Sequence, residues 1–148
     1  MNEGTQEIKC PSKDTLFFIY GSLRKRCYNH SLIKDKAVFK GKAKLLGFAL
    51  YSLGSYPAVF PTNDKNDVLF GELYQIEDDE IRKRLHGMEI MAGYKLVTEK
   101  CFVNGDRKET QDISIYVYKN PSIALNQRVD SGDWMDYLIR RGDLNVIS

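Results

Sequence analysis

The chain has 148 residues, of which 43% are hydrophobic and 28% are charged. This length suits one domain with a sizeable core, and the composition excludes a disordered polyelectrolyte, a collagen-like repeat and a disulfide scaffold. With 22 lysines and arginines against 20 aspartates and glutamates, the net charge of +2 gives almost no general attraction for nucleic acid or anionic lipid. We therefore expect no nucleic-acid partner and no membrane partner.

The three cysteines are widely spaced, at Cys10, Cys27 and Cys101. None of the gaps between them matches the ligand spacing of a zinc site, so the sequence predicts no metal centre. An odd number of unpaired thiols is typical of a reducing compartment. The longest apolar run, residues 16–20, is far shorter than the roughly 20 residues that cross a bilayer. Residues 1–7 have no apolar core like that of a signal peptide, and we expect a cytoplasmic protein.

Residues 1–13 show no periodicity and predict a flexible lead-in, followed by a single domain over 14–148. The aromatic and β-branched run 15–20 predicts a buried strand that ends at Gly21. Residues 29–33 predict a short helix capped by its first residue.

The next segments predict more strand than helix. Residues 38–39 and 42–51 supply strand material interrupted by glycines, 54–58 form a loop, and 68–76 show the clearest alternation. Later, 94–103 and 113–118 predict a strand pair across a polar turn.

Two helices are expected in this second half. Acidic residues 77–80 followed by basic residues 82–84 match the helix dipole, and one face carries the apolar residues Ile81, Leu85 and Met88. Gly87 is expected to end this helix or to admit another backbone. Ser131 is expected to cap a terminal helix that turns Trp134, Tyr137 and Leu138 inward. Many strands with few helices indicate an α+β fold.

Two local features suggest chemistry. The strand that ends in Tyr20-Gly21-Ser22-Leu23 could present consecutive N–H groups as a nest for an anion, although an ordinary turn is the more frequent reading of such residues. Glu89 lies among apolar residues, which raises the pKa of a carboxyl towards that of a general base near neutrality. The alternative is a surface glutamate at a frayed helix end.

Seven short motifs occur in one order over residues 15–138: Tyr20-Gly21-Ser22-Leu23-Arg24, Asn29-His30, Gly54-Ser55-Tyr56-Pro57-Ala58, Gly71-Glu72-Leu73-Tyr74, Leu85-His86-Gly87-Met88-Glu89, Tyr116-Val117-Tyr118 and Ser131-Gly132-Asp133-Trp134. Together they resemble the gamma-glutamylcyclotransferase-like superfamily, in its short branch with gamma-glutamylamine cyclotransferase and uncharacterised bacterial and archaeal relatives. The resemblance implies a small, mixed, β-barrel-like sheet with short flanking helices and a pocket at one mouth.

The resemblance also implies roles for particular residues. Backbone N–H groups of Tyr20, Gly21, Ser22 and Leu23 would hold a substrate α-carboxylate, and Glu89 would be the catalytic carboxylate. Two residues depart from the family motif around this glutamate: His86 stands where aspartate is usual, and Ile90 stands where glycine is usual.

Four further residues are candidates for substrate binding. Arg24 adjoins the turn and could bind a carboxylate or be solvated. Tyr56 and Pro57 occupy a loop similar to the family's pocket-lining segment, although a turn-stabilising aromatic residue is an equal alternative. Tyr118 shares one strand face with Tyr116, so either phenol could lie at the barrel mouth or pack in the core.

The implied activity is cyclotransfer on a gamma-glutamylated amine or a related small molecule, in which Glu89 serves as acid and base. Release of 5-oxoproline and free amine by intramolecular transamidation needs neither a metal nor an organic cofactor. The alternative is a non-catalytic domain of the same fold that binds a small metabolite or a partner. The leaving amine and the oligomeric state stay open.

Overall fold

The computed structural model describes residues 7–21, 23–24, 30–54, 56–103, 110–120 and 127–141. Within these ranges the elements in chain order are β1 (Glu7–Ile8), β2 (Leu16–Ile19), a 3₁₀ turn (His30–Leu32), β3 (Ala37–Leu46), β4 (Phe48–Ser52), β5 (Pro57–Pro61), β6 (Val68–Ile76), α1 (Asp79–Met91), β7 (Tyr94–Val103), β8 (Thr110–Tyr118) and α2 (Trp134–Arg140). No helix in the described ranges is long and apolar enough to span a membrane.

Five strands close into a barrel in the order β7-β3-β6-β2-β8, because β8 pairs again with β7. The β7–β8 pair is antiparallel and runs from Tyr94 opposite Tyr118 to Phe102 opposite Thr110. The β2–β8 pair is parallel, so the sheet is mixed. The sequence prediction of a mixed, barrel-like α+β fold is therefore confirmed.

The β1 strand lies inside the segment that the sequence assigns to a flexible lead-in. Glu7 and Ile8 pair with Val97 and Leu96 of β7, on an edge that β3 reaches only at Phe102 and Val103. This free stretch of edge offers backbone partners that no periodicity in residues 1–13 reveals. The domain division at residue 14 itself stays a prediction.

The β4 and β5 strands form a separate antiparallel hairpin, and its second strand corrects the predicted loop over 54–58. Pro57 and Ala58 already belong to β5, where they pair with Ser52 and Tyr51. Proline is tolerated as the first residue of a strand because its missing N–H lies at the end of the ladder.

Two apolar clusters lie on opposite sides of the barrel wall. The first draws on all five barrel strands and fills the interior, with Phe18 and Leu73 among its buried members. The second packs on the outer face against Leu85 of α1, with Phe17 and Tyr116 among its members. Because successive residues of β2 enter different clusters, this strand is apolar throughout, as expected for a strand buried on both faces.

The α1 helix begins with Asp78 as its N-cap, whose carboxylate accepts a hydrogen bond from the Ile81 N–H at 3.0 Å. The predicted end at Gly87 is wrong, since the helix continues through Gly87 to Met91. A side chain at Gly87 would meet no atom of the described residues within 4 Å, so none of their backbone approaches it closely. Met91 is the last helical residue and Ala92 is the C-cap, and the chain turns away from the helix at Gly93, which has a φ of +98°.

Arg82 anchors α1 to the rest of the protein. Its buried guanidinium donates to the carbonyls of Pro11 at 3.1 Å and Ile76 at 2.9 Å, and it forms an ion pair with Asp79. These bonds hold the first turns of the helix against the end of β6 and therefore set the direction in which its later residues lie.

The terminal helix α2 is capped by Asp133 and not by Ser131 as predicted. The Asp133 carboxylate accepts hydrogen bonds from the N–H groups of Met135 and Asp136 at 3.0 and 3.4 Å. Trp134 is buried in the interior cluster as predicted, and Tyr137 and Leu138 pack against that cluster while partly exposed.

Gly71 is required by the close packing of β2 on β6. An added Cβ at this position would lie 2.5 Å from Cε1 of Phe18 and 2.7 Å from the Ile19 carbonyl oxygen. We expect Gly71→Ala to lower the free energy of unfolding by about 1–3 kcal/mol, because backbone and core would have to move. Gly87→Ala is the matched control, and it should stabilise by roughly 0.5–1 kcal/mol because a helical glycine gains a favourable side chain. Urea unfolding of both variants checks this, and equal effects would contradict it.

Candidate active site

A cavity of about 470 Å³ opens between the barrel wall, the 3₁₀ turn, the β4–β5 loop and α1. This volume lies within the range of small-molecule sites, roughly 300–1,000 Å³. The described residues that line it come from every one of these elements: Phe18, Ile19, Tyr20, Gly21, Leu23, Leu32, Leu53, Tyr56, Pro57, Leu85, Met88, Glu89, Ala92, Tyr94, Tyr116 and Tyr118.

One stripe of α1 faces the cavity, formed by Leu85, Met88, Glu89 and Ala92. Their spacing of i, i+3, i+4 and i+7 places them on one side of a helix. Glu89 therefore lies inside the helix and not beyond its end, and its direction is fixed by the helical register. Met88, predicted to be buried, is 48% exposed at the mouth of the cavity.

The Glu89 carboxyl is half-buried among apolar and phenolic groups. Burial raises its pKa from 4.5 to about 7, because the ionised form loses hydration. No hydrogen bond or ion pair to its side chain is found within the described ranges. This carboxyl can therefore accept and release a proton near neutral pH, as expected from its apolar neighbours in the sequence.

Three tyrosines surround the carboxyl. Burial, and in addition the charge of Glu89, raise the pKa values of Tyr20, Tyr94 and Tyr116 well above 10, so their hydroxyls stay protonated. The Tyr20 hydroxyl donates to the Tyr116 carbonyl at 2.6 Å, which ties β2 to β8. The Tyr116 hydroxyl lies 2.8 Å from Nδ1 of His86, so the histidine that replaces the family's aspartate contacts a residue of the cavity wall.

The turn after β2 is held against β5. An added Cβ at Gly21 would lie 2.8 Å from Cγ of Pro57, so glycine is needed for this packing. The Pro57 carbonyl in turn accepts a hydrogen bond from the Tyr94 hydroxyl at 2.5 Å. Ser22 lies outside the described residues, and the predicted anion-binding role of the turn stays a prediction.

Arg24 is held away from the cavity by two carboxylates. Its Nε lies 3.3 Å from Glu72 and its Nη1 lies 2.7 Å from Asp133, and only 11% of its side chain is exposed. Tyr74 also donates to Glu72, at 2.8 Å. The guanidinium therefore links the end of the turn to β6 and to the cap of α2, and it is not among the described residues that line the cavity.

Most of the predicted site residues meet in this cavity: Tyr20, Gly21, Leu23, Tyr56, Pro57, Glu89 and Tyr118. Tyr116 lines it as well, and alternation along β8 correctly places it beside Tyr118. The sequence analysis did not select Tyr94 as a site residue. Its position directly after Gly93, just beyond the helix that carries Glu89, is a signal that it lies near that helix. Leu32 and Leu53 were missed because nothing in their local sequence indicates which elements pack around them.

The sequence matches the family model described as "Gamma-glutamyl cyclotransferase, AIG2-like" over residues 17–136. The chain belongs to this family. The match confirms the resemblance inferred from the seven motifs, and it spans both the turn after β2 and the helix that carries Glu89.

Individual relatives agree with the family. MJ1514 of Methanocaldococcus jannaschii is 33% identical over 122 residues, which cover 81% of this chain and 95% of the relative. The gamma-glutamylcyclotransferase family protein YtfP of Escherichia coli is 29% identical over 80% of this chain and 95% of its own. YkqA of Bacillus subtilis is 27% identical over 84% of this chain, and this chain spans only 42% of that longer relative.

Solved structures share the fold. The uncharacterised protein PH0828 of Pyrococcus horikoshii aligns with a TM-score of 0.67 and 22% identity, covering 88% of this chain and 98% of the other. An AIG2-like protein from Mus musculus aligns with a TM-score of 0.60 and 20% identity, covering 73% and 80%.

The raised pKa of Glu89 predicts a pH-dependent stability. Between pH 4.5 and about 7 the folded protein holds a proton on this carboxyl that the unfolded chain has released, so the free energy of unfolding falls as pH rises through this window. The free energy of unfolding of the wild type, relative to that of Glu89→Gln, should fall by roughly 3 kcal/mol from pH 4 to pH 8. Urea unfolding across this range measures it. Glu80→Gln, on the same helix with a side chain 84% exposed, is the control and should follow the wild type.

The Arg24–Glu72 pair predicts a strong energetic coupling. Arg24→Met takes one charged partner away from the buried Glu72 carboxylate and should lower the free energy of unfolding by about 1–3 kcal/mol, whereas adding Glu72→Gln should cost less in this background than in the wild type. A double-mutant cycle in urea unfolding gives this coupling. The exposed pair Lys100–Asp112, with side chains 69% and 78% exposed, is the control and should couple by roughly 0–1 kcal/mol. Equal coupling in the two cycles would refute the prediction.

Proposed function

We propose that this protein is a cofactor-independent gamma-glutamyl cyclotransferase that converts a gamma-glutamylated amine into 5-oxoproline and the free amine. The observation that carries the proposal is the half-buried Glu89 carboxyl, with a pKa of about 7, in a cavity that also contains the turn after β2. Membership of the gamma-glutamyl cyclotransferase family supports the reaction class.

The proposed reaction is an intramolecular transamidation. Ionised Glu89 accepts a proton from the substrate α-ammonium, and the freed nitrogen attacks the γ-carbonyl carbon to close a five-membered ring. The bond from that carbon to the amide nitrogen then breaks. Two protons leave the α-ammonium in all and both end on the departing nitrogen, so Glu89 returns to its ionised form.

The turn after β2 would hold the substrate α-carboxylate. In the proposal, backbone N–H groups of Tyr20, Gly21, Ser22 and Leu23 act as donors, since consecutive N–H groups in a turn bind anions without a formal positive charge. Holding the α-amino group near the γ-carbonyl supplies part of the roughly 7–11 kcal/mol available from orientation.

The phenols of the cavity are suited to the developing oxyanion. Because burial keeps the Tyr116 hydroxyl protonated, it can donate a hydrogen bond to the γ-carbonyl oxygen as negative charge grows there. The neighbouring His86 would hold this hydroxyl in place. Nucleophile and leaving group both belong to the substrate, so the proposed mechanism requires no cofactor.

The proposed acid/base role predicts a large loss of activity in Glu89→Gln. Release of 5-oxoproline from a panel of gamma-glutamyl amines, followed by mass spectrometry, should fall by about 10²–10⁴ in kcat/KM, while Glu80→Gln should retain wild-type activity. For the wild type, kcat/KM should fall about tenfold per pH unit below about 7, because Glu89 must be ionised to accept the proton.

Wild-type turnover by Glu89→Gln would refute the catalytic assignment. Tight binding of panel members by the wild type without any 5-oxoproline would instead support the non-catalytic alternative on the same fold. Calorimetry on the same panel separates these outcomes.

A further inference from the structure

The cavity changes character between its inner end and its mouth. Its inner wall contains the buried Tyr20, Tyr94 and Tyr116, with Glu89 beside them. Its mouth is lined by large apolar or aromatic side chains that are exposed to solvent, with exposed fractions of 42% for Leu32, 62% for Tyr56 and 48% for Met88. The phenols that the proposed chemistry uses are therefore more deeply buried than the apolar side chains at the mouth.

We propose that the leaving group of the substrate is an apolar amine, aliphatic or aromatic. This inference rests on the proposed function: if the glutamyl unit occupies the inner end, where Glu89 lies, then the amine must extend towards the mouth. An apolar amine would cover Leu32, Tyr56 and Met88 and remove their surface from water, which favours binding.

The charged groups of a leaving group would gain nothing from these contacts. A lysine linked through its ε-nitrogen carries an α-ammonium and an α-carboxylate, and a peptide carries a terminal carboxylate. Bringing such charges against apolar side chains costs free energy unless they are paired. Among the described residues that line the cavity none is lysine, arginine or histidine, and the nearby Arg24 is already bound to Glu72 and Asp133.

The covalent step is the one already given and balances for such an amine. The C–N bond of the ring forms, the C–N bond to the amine breaks, and an alkyl amine departs as its ammonium ion with both protons from the α-ammonium. No water, oxidant or second substrate takes part.

The test compares three gamma-glutamyl substrates that differ only in the amine. They are gamma-glutamyl phenethylamide, lysine that carries the gamma-glutamyl group on its ε-nitrogen, and the dipeptide gamma-glutamylglycine. We expect kcat/KM for 5-oxoproline release to be at least tenfold higher for the phenethylamide than for either charged substrate. Equal or higher values for a charged substrate would overturn this inference alone and leave the proposed function standing. An absence of 5-oxoproline from all three would overturn the proposed function and, with it, this inference.

The mouth residues provide matched variants. Met88→Gln should lower the ratio of kcat/KM for the phenethylamide to kcat/KM for the charged substrates at least fivefold, because it places an amide against the apolar amine. Leu32→Gln, in the 3₁₀ turn, should lower this ratio as well. Met91→Gln is the control: Met91 is on the same helix and 91% exposed, but it does not line the cavity. An equal change in Met88→Gln and Met91→Gln would contradict the assignment of the mouth.

Discussion

The pairing of β7 along both of its edges is the constraint on which the site depends. One edge carries β8 from Tyr94 to Phe102, and the other carries β1 and then Ala43 and Lys44 of β3. This arrangement closes the barrel and places Tyr94 opposite Tyr118 at the end of the ladder. Because only Ala92 and Gly93 separate α1 from β7, the same closure brings the helix face with Glu89 against these phenols.

Buried polar contacts then fix the parts that adjoin the cavity. Arg82 anchors the start of α1, the Tyr94 hydroxyl holds the Pro57 carbonyl, and Arg24 links the turn after β2 to Glu72 and Asp133. Each contact joins elements that are distant in sequence. Together they adjoin the place where Glu89 lies, and the raised pKa of Glu89 there comes from burial.

The prediction of elements from sequence succeeded where one local pattern was sufficient. The alternation over 68–76 and the paired runs around 94–103 and 113–118 correspond to β6, β7 and β8. It failed where a distant partner decides the outcome. Glu7 and Ile8 become a strand only because β7 has a free stretch of edge beside them.

For the site, the sequence alone determined the identity of the candidate acid/base, because Glu89 lies among apolar residues and in a motif that resembles a family. The sequence also indicated the turn after β2 as the second candidate feature of the site. Only the tertiary structure decided that Arg24 pairs with Glu72 and Asp133, that Tyr94 and Met88 line the cavity, and that large apolar side chains are exposed at its mouth. The physical reason is that burial and side-chain pairing arise only when several elements pack together. They cannot be predicted from residue type and spacing within one element.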